Sequence, residues 1–163
     1  MPAGSTYSTI ATYTTSGSPT LVTFTSFGGY TDLYFTISNF GAGSGGNTRM
    51  RFNSDSGSNY SWTVLTGDGS TASSTRASND TSIISSYLGA DGVTLINVQN
   101  YANSTTNKTI LARAGKASSG VDAIVGLWRN TAAITTITFQ ANTAGTTAFG
   151  NGIIFNVYGI LAA

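Results

Sequence analysis

The chain has 163 residues, a net charge of +1 and 8% charged side chains, with no Glu, His or Cys. That composition excludes catalytic triads built on His or thiols, zinc sites built on Cys or His, and the concentrated basic face of a nucleic-acid binder. A hydrophobic content of 40% and an aromatic content of 11% exclude intrinsic disorder, and no apolar run approaches the roughly 20 residues of a membrane-spanning helix.

Thr, Val, Ile, Tyr, Phe and Trp fill the ordered stretches, and of the strong helix formers only Ala is plentiful, so the local preference is for strands. Tyr7 to Tyr13 and Thr20 to Phe24 are expected as opening strands separated by Ser16-Gly17-Ser18-Pro19. Leu33, Phe35 and Ile37 point one way and Tyr34, Thr36 and Ser38 the other, which is the period of a sheet face. Met50 and Phe52 alternate with Arg49 and Arg51, and Tyr60, Trp62 and Val64 repeat the pattern before a turn at Asp68-Gly69. From Thr66 to Ser82 there is almost no apolar side chain, and a long loop is expected there. Strands resume at Ile83 to Leu88, turn at Asp91-Gly92, and continue through Val93 to Val98, Thr109 to Ala114, Ala123 to Trp128, Ile134 to Phe139 and Ile153 to Ile160. Asn151-Gly152, just before the last, is a favoured hairpin pair. Roughly ten strands at about 8–15-residue spacing, with uneven loops, predict an all-β antiparallel two-sheet sandwich of jelly-roll type. The whole of 1–163 is expected to be one domain, with its first and last strands close together.

The six Asp residues, Asp32, Asp55, Asp68, Asp80, Asp91 and Asp122, are the only acids. Most stand beside Gly, Asn or Ser, where Asp serves turns. No spacing among them singles out the carboxylate pair of a glycosidase. Asn53-Ser54-Asp55-Ser56-Gly57-Ser58-Asn59 loosely matches a calcium loop but lacks its closing Glu, so a tight polar turn is expected. Gly41 to Gly46 lacks the Lys-Ser/Thr and the helix of a phosphate loop. Trp62 and Trp128 invite a sugar-stacking reading, against which stands the burial usual for Trp in a sandwich. Asn59, Asn79, Asn103 and Asn107 begin glycosylation sequons that carry little weight in so Ser- and Thr-rich a chain. No catalytic residue, cofactor or metal is expected, and no enzymatic activity.

Four segments, Arg51 to Tyr60, Asn100-Tyr101-Ala102-Asn103, Leu127-Trp128-Arg129 and Phe155 to Ile160, together resemble a group of small virion proteins from tailed phages, especially those of aquatic bacteria such as cyanobacteria. The resemblance spans nearly the whole chain. It implies a place in the virion, as a capsid decoration (cement) protein or as a fibre or tail component. Met1-Pro2-Ala3-Gly4 has no secretory pattern, so synthesis in the host cytoplasm is expected. The partners expected are the major capsid protein or other virion proteins, with neither nucleic acid nor membrane. A homo-oligomer, a trimer first, follows from low charge and unblocked strand edges. Residues 1–10 and the stretch from Thr66 to Ser82 are the segments expected to reach the shell. Thr6, Tyr7, Arg76, Asn79, Trp128 and Arg129 are the candidate partner contacts. The alternative is a tail-fibre or receptor-binding module that recognises host-surface glycans.

Overall fold

The computed structural model describes residues 6–38, 47–86, 92–116 and 118–161. Within them the chain forms twelve strands and no helix: β1 (Tyr7–Thr14), β2 (Leu21–Thr25), β3 (Asp32–Ser38), β4 (Thr48–Phe52), β5 (Tyr60–Gly67), β6 (Ala72–Asp80), β7 (Ile83–Ser86), β8 (Val93–Val98), β9 (Lys108–Lys116), β10 (Gly120–Trp128), β11 (Thr136–Gln140) and β12 (Ile154–Ile160). They build an eight-stranded sheet in the order β1-β12-β3-β8-β9-β10-β5-β6 and a four-stranded sheet in the order β2-β11-β4-β7. Every pairing between these strands is antiparallel. The fold is an all-β, jelly-roll-like sandwich.

Alternation drives it. In β3 the odd side chains Leu33, Phe35 and Ile37 are buried and the even ones half-buried, and β12 repeats this with Phe155 and Val157. The two sheets lock together through aromatic rings. Phe24 of β2 and Phe139 of β11 meet Phe35 of β3 and Phe155 of β12 at centroid distances of 5.3 to 6.2 Å. At the other end of the core, Phe52 of β4 lies 5.5 Å from Trp128, which stacks on Tyr60 at 6.3 Å. The sheets also close tightly where β7 crosses β10. A Cβ on Gly126 would stand 2.5 Å from Ile83 Cγ2 and 2.8 Å from Ile110 Cγ1, so only glycine leaves room for the isoleucines.

Three expectations need correction. The polar stretch after Thr66 is not one loop, because Ala72–Asp80 pairs with β5 as a nine-residue edge strand. That strand is the one the hydrophobic pattern misses in reaching only about ten. Asn151-Gly152 is no hairpin: the strand before it, β11, lies in the other sheet, while β12 pairs with β1 and β3. The pair is instead a turn between sheets, in which Gly152 at φ 80° donates its amide to the Thr15 carbonyl at 2.9 Å. The eleventh strand starts at Thr136, not Ile134, whose amide instead bonds the Tyr101 carbonyl at 2.8 Å. The first and last strands do pair, Tyr7 opposite Ile160 through Thr14 opposite Ile154. Residues 1–5, the glycines of 41–46, Leu88 and the Asp91 half of the expected turn lie outside the described residues.

Candidate functional site

The six candidate contact residues fall at two places. Thr6 and Tyr7 stand at the start of β1, the strand at one edge of the eight-stranded sheet, and both are exposed. Arg76 and Asn79 are exposed on β6 at the opposite edge. Arg129 reaches the same edge from the end of β10. It bonds Ser61 Oγ, the Ser58 carbonyl at 2.7 Å and Asn79 Oδ1 at 2.9 Å, and so ties β6 to the loop before β5. Trp128 is the exception. It is 0% exposed and presents no surface to a partner. Alternation places it inward on β10, beside Ile124 and Gly126.

Trp128 belongs to a structural knot around Asp55. Its Nε1 donates to Asp55 Oδ2 at 2.7 Å, Asn59 Nδ2 donates to the same oxygen at 2.9 Å, and the Gly57 amide donates to Oδ1 at 2.8 Å. Tyr60 OH adds a bond to the Asp55 carbonyl at 3.1 Å. Burial pushes the Asp55 carboxyl up, but these donors and the Arg51 charge outweigh it and leave the group below its ordinary value. Both carboxylate oxygens already accept protein donors, which is the hydrogen-bonding of a closed polar turn and not of an open cation cage. Among the described residues no group of three or more metal-type side chains converges. Calcium, or its removal with a chelator, is therefore expected to leave the melting temperature unchanged. A chelator-induced drop restored by calcium would overturn this reading of the loop.

The second polar cluster is also internal. Arg49 of β4, with its side chain 6% exposed, pairs with Asp80 at the end of β6. Its Nε donates to Ser82 Oγ at 2.6 Å, and its guanidinium lies 5.7 Å from the Trp62 ring centroid. Trp62 Nε1 and the Thr81 amide donate to Asp80 at 2.8 and 2.6 Å. Burial raises the Asp80 carboxyl, and Trp62, Thr81 and Arg49 together pull it below the ordinary range. Asp68 is exposed and held low by the backbone amides and hydroxyls of Thr71 and Ser70, as a turn carboxylate. Lys108 is buried with Nζ bonded to the carbonyls of Thr106 and Thr131 at 2.7 and 2.9 Å, and burial pushes its ammonium below the usual value. These charges fasten loops and strand ends to one another.

What the sequence pattern did not single out is the outer face of the eight-stranded sheet. Leu65, Val93, Leu111, Val121 and Val125 all stand on it, between 45% and 63% exposed. Register sets Val125 beside Leu111, and Ala123 beside Leu65, so the five form a patch over β5, β10, β9 and β8. A signal for it was present. Ala123 to Trp128 is apolar at every position except Gly126, and a strand apolar on both faces is one that expects cover on both. A shallow groove of about 490 Å³ over this patch is lined by Leu65, Val121 and Ala123, with Arg113 at its rim.

No family model matches the sequence, and no curated protein matches it. Among solved structures, the galectin LEC-6 of Caenorhabditis elegans aligns over 93% of this chain and 96% of its own, with 9% identity and a TM-score of 0.38. A human SPRY domain aligns over 88% of this chain and 97% of its own, with 10% identity and a TM-score of 0.28. Neither likeness is close enough to transfer a site.

Proposed function

We propose that the chain is a non-catalytic structural subunit of a phage particle, a capsid decoration protein that holds neighbouring shell subunits by contact along its strand edges. The observation that carries this is the make-up of the two edges of the eight-stranded sheet. β1 has no charged residue, and β6 has only Arg76 and Asp80, the latter turned onto Arg49. An edge strand presents a row of backbone donors and acceptors, and charge is a common means of blocking it. Each edge strand has a register irregularity, at Thr9/Ala11 in β1 and opposite Tyr60/Trp62 in β6, but edges so lightly charged suit strand addition to a neighbour along the regular stretches, in which backbone bonds supply affinity and alternate side chains supply fit. Thr6, Tyr7, Arg76 and Asn79 are then the side chains beside the added strand. The partner is the major capsid protein, the location the virion, and the working form a trimer on three-fold positions of the shell.

A second reading, a receptor-binding module on a fibre, has one observation on its side: a second groove on the outer sheet face, with Tyr7 and Tyr34 among its lining.

Light scattering on the free protein is expected to give a trimer, and electron microscopy of intact particles to show β1 or β6 against a shell subunit. Thr9 and Ser74 are exposed edge residues, and lysine at both is expected to lower occupancy on particles several-fold with an unchanged circular dichroism spectrum. Absence of the protein from purified particles, or full occupancy by the doubly blocked variant, removes the decoration reading.

A further inference from the structure

We infer that the groove between β1, β3, β8 and β9, on the outer face of the eight-stranded sheet, binds a pyranose sugar carrying a carboxylate. The groove has a volume of about 460 Å³, and Tyr7, Tyr34, Asn97, Leu111 and Arg113 are among the side chains that line it. Strand register sets Asn97 directly between Tyr34 and Leu111, with Arg113 two residues along β9 from Leu111. Diagonal neighbours across such a pair lie about 7–8 Å apart, a span that a single sugar ring bridges.

Each part has a chemical use. Tyr7 is 53% exposed and stands edge-on against Tyr34 and Tyr158, at centroid distances of 5.7 and 6.4 Å. Its ring is thereby braced as a wall, and an aromatic wall with a polar tip suits the mixed apolar and hydroxylated faces of a sugar. Leu111 supplies an apolar floor. The side-chain oxygen of Asn97 is buried without a hydrogen-bond partner among the described residues. Leaving such an atom unpaired is costly, and a ligand hydroxyl satisfies it. The two other unpaired buried oxygens, on Thr94 and Gln140, do not line the groove.

Arg113 decides the class of sugar. It is exposed, and it makes no hydrogen bond or ion pair among the described residues. No acid lines the groove, and the nearby Asp122 is buried with Thr66 Oγ1 bonded to it at 2.7 Å. A guanidinium fork matches a carboxylate bidentately. One lone cation fits one carboxylate, whereas a nucleic-acid backbone calls for several. The groove opens on the face of the sheet and strand addition takes place in its plane, so the two surfaces are compatible. This inference deepens the receptor-binding reading and does not rest on the decoration one.

The test is calorimetric titration of the free protein with a galacturonate trisaccharide, its neutral galactose counterpart, and acetate. The acidic saccharide is expected to bind about tenfold more tightly than the neutral one at low salt, a gap that added salt narrows, with no measurable heat from acetate. Arg113→Gln is expected to abolish the gap while neutral binding stays. Tyr7→Ala is expected to weaken both saccharides. Both residues are exposed, and circular dichroism checks that each variant folds. No binding of either saccharide, equal binding of the two, acetate binding as tightly as the acid, or a gap that survives Arg113→Gln each overturns the proposal. None of these outcomes bears on whether the protein occupies a shell.

Discussion

Phe35→Asp is expected to yield a chain that does not fold, with a circular dichroism spectrum lacking the sheet signature and no cooperative melt. Phe35 is 0% exposed and sits where both sheets meet, 5.8 Å from Phe24 and 5.3 Å from Phe139. The substitution removes a ring worth about 3–5 kcal/mol when truncated in a core. It also places a carboxylate where no donor waits, adding a cost of several kcal/mol even after the group takes up a proton. Domains of this kind hold about 5–15 kcal/mol in total, so the sum exhausts the margin. Leu33→Asp, at an equally buried position one pleat away, is expected to do the same. Tyr34, on the opposite face of β3, is the internal control. Tyr34→Asp is expected to fold, and a folded Phe35→Asp would contradict the assigned inner face.

The next largest effect is expected from Asp80→Ala. The Arg49 guanidinium is nearly sealed from solvent, and loss of its partner leaves it uncompensated while Trp62 Nε1 loses an acceptor. Breaking a buried pair from one side costs about 3–5 kcal/mol. Urea denaturation should show this as a lower midpoint with unchanged slope. Arg49→Met in the same background is expected to recover part of the loss, because it removes the stranded charge. Acid provides an independent check. The folded carboxyls of Asp80 and Asp55 lie below the ordinary aspartate value of about 3.9, so the folded state binds these protons less readily than the unfolded chain does. Their contribution is complete above that value and is lost as pH falls below it, through the folded values. The melting temperature is therefore expected to hold from neutral pH down to about pH 5 and then to fall, less steeply in Asp80→Ala than in the parent. An acid profile identical in the two proteins would show that Asp80 is not a linked group.

The strands with one buried face were legible because burial imposes a period of two on the residue types, as in Leu33, Phe35 and Ile37 or Tyr60, Trp62 and Val64. β6 was not. Its residues, from Ala72 to Asp80, are exposed or half-exposed throughout; nothing selects apolar side chains there, and it is a strand only because β5 offers a free backbone edge. The edge residues Thr6, Tyr7, Arg76 and Asn79 could be proposed from polarity alone, since polarity is what an uncovered edge retains. Trp128 could not be placed that way. The residues that precede it from Ala123 are apolar apart from Gly126 whichever face they take, and the carboxylate that anchors its indole stands 73 positions away. The outer groove was out of reach for the same reason, because Tyr7, Tyr34, Asn97 and Arg113 come from four strands brought together only by the register of the sheet.

That register also governs how the chain reaches its final form. β12, the last strand described, runs between β1 and β3, and β11 likewise runs between β2 and β4. The first four strands described thus wait, unpaired on at least one side, for β11 and β12 to leave the ribosome. Closing loops of that length before any contact rewards them makes folding slow, and meanwhile the apolar sides of β2 and β3 are open to other nascent chains. A chain cut before Ile154 would lose more than a terminal strand: it would leave β1 with no place in the sheet at all. Co-translational yield, more than equilibrium stability, is where this topology is most vulnerable.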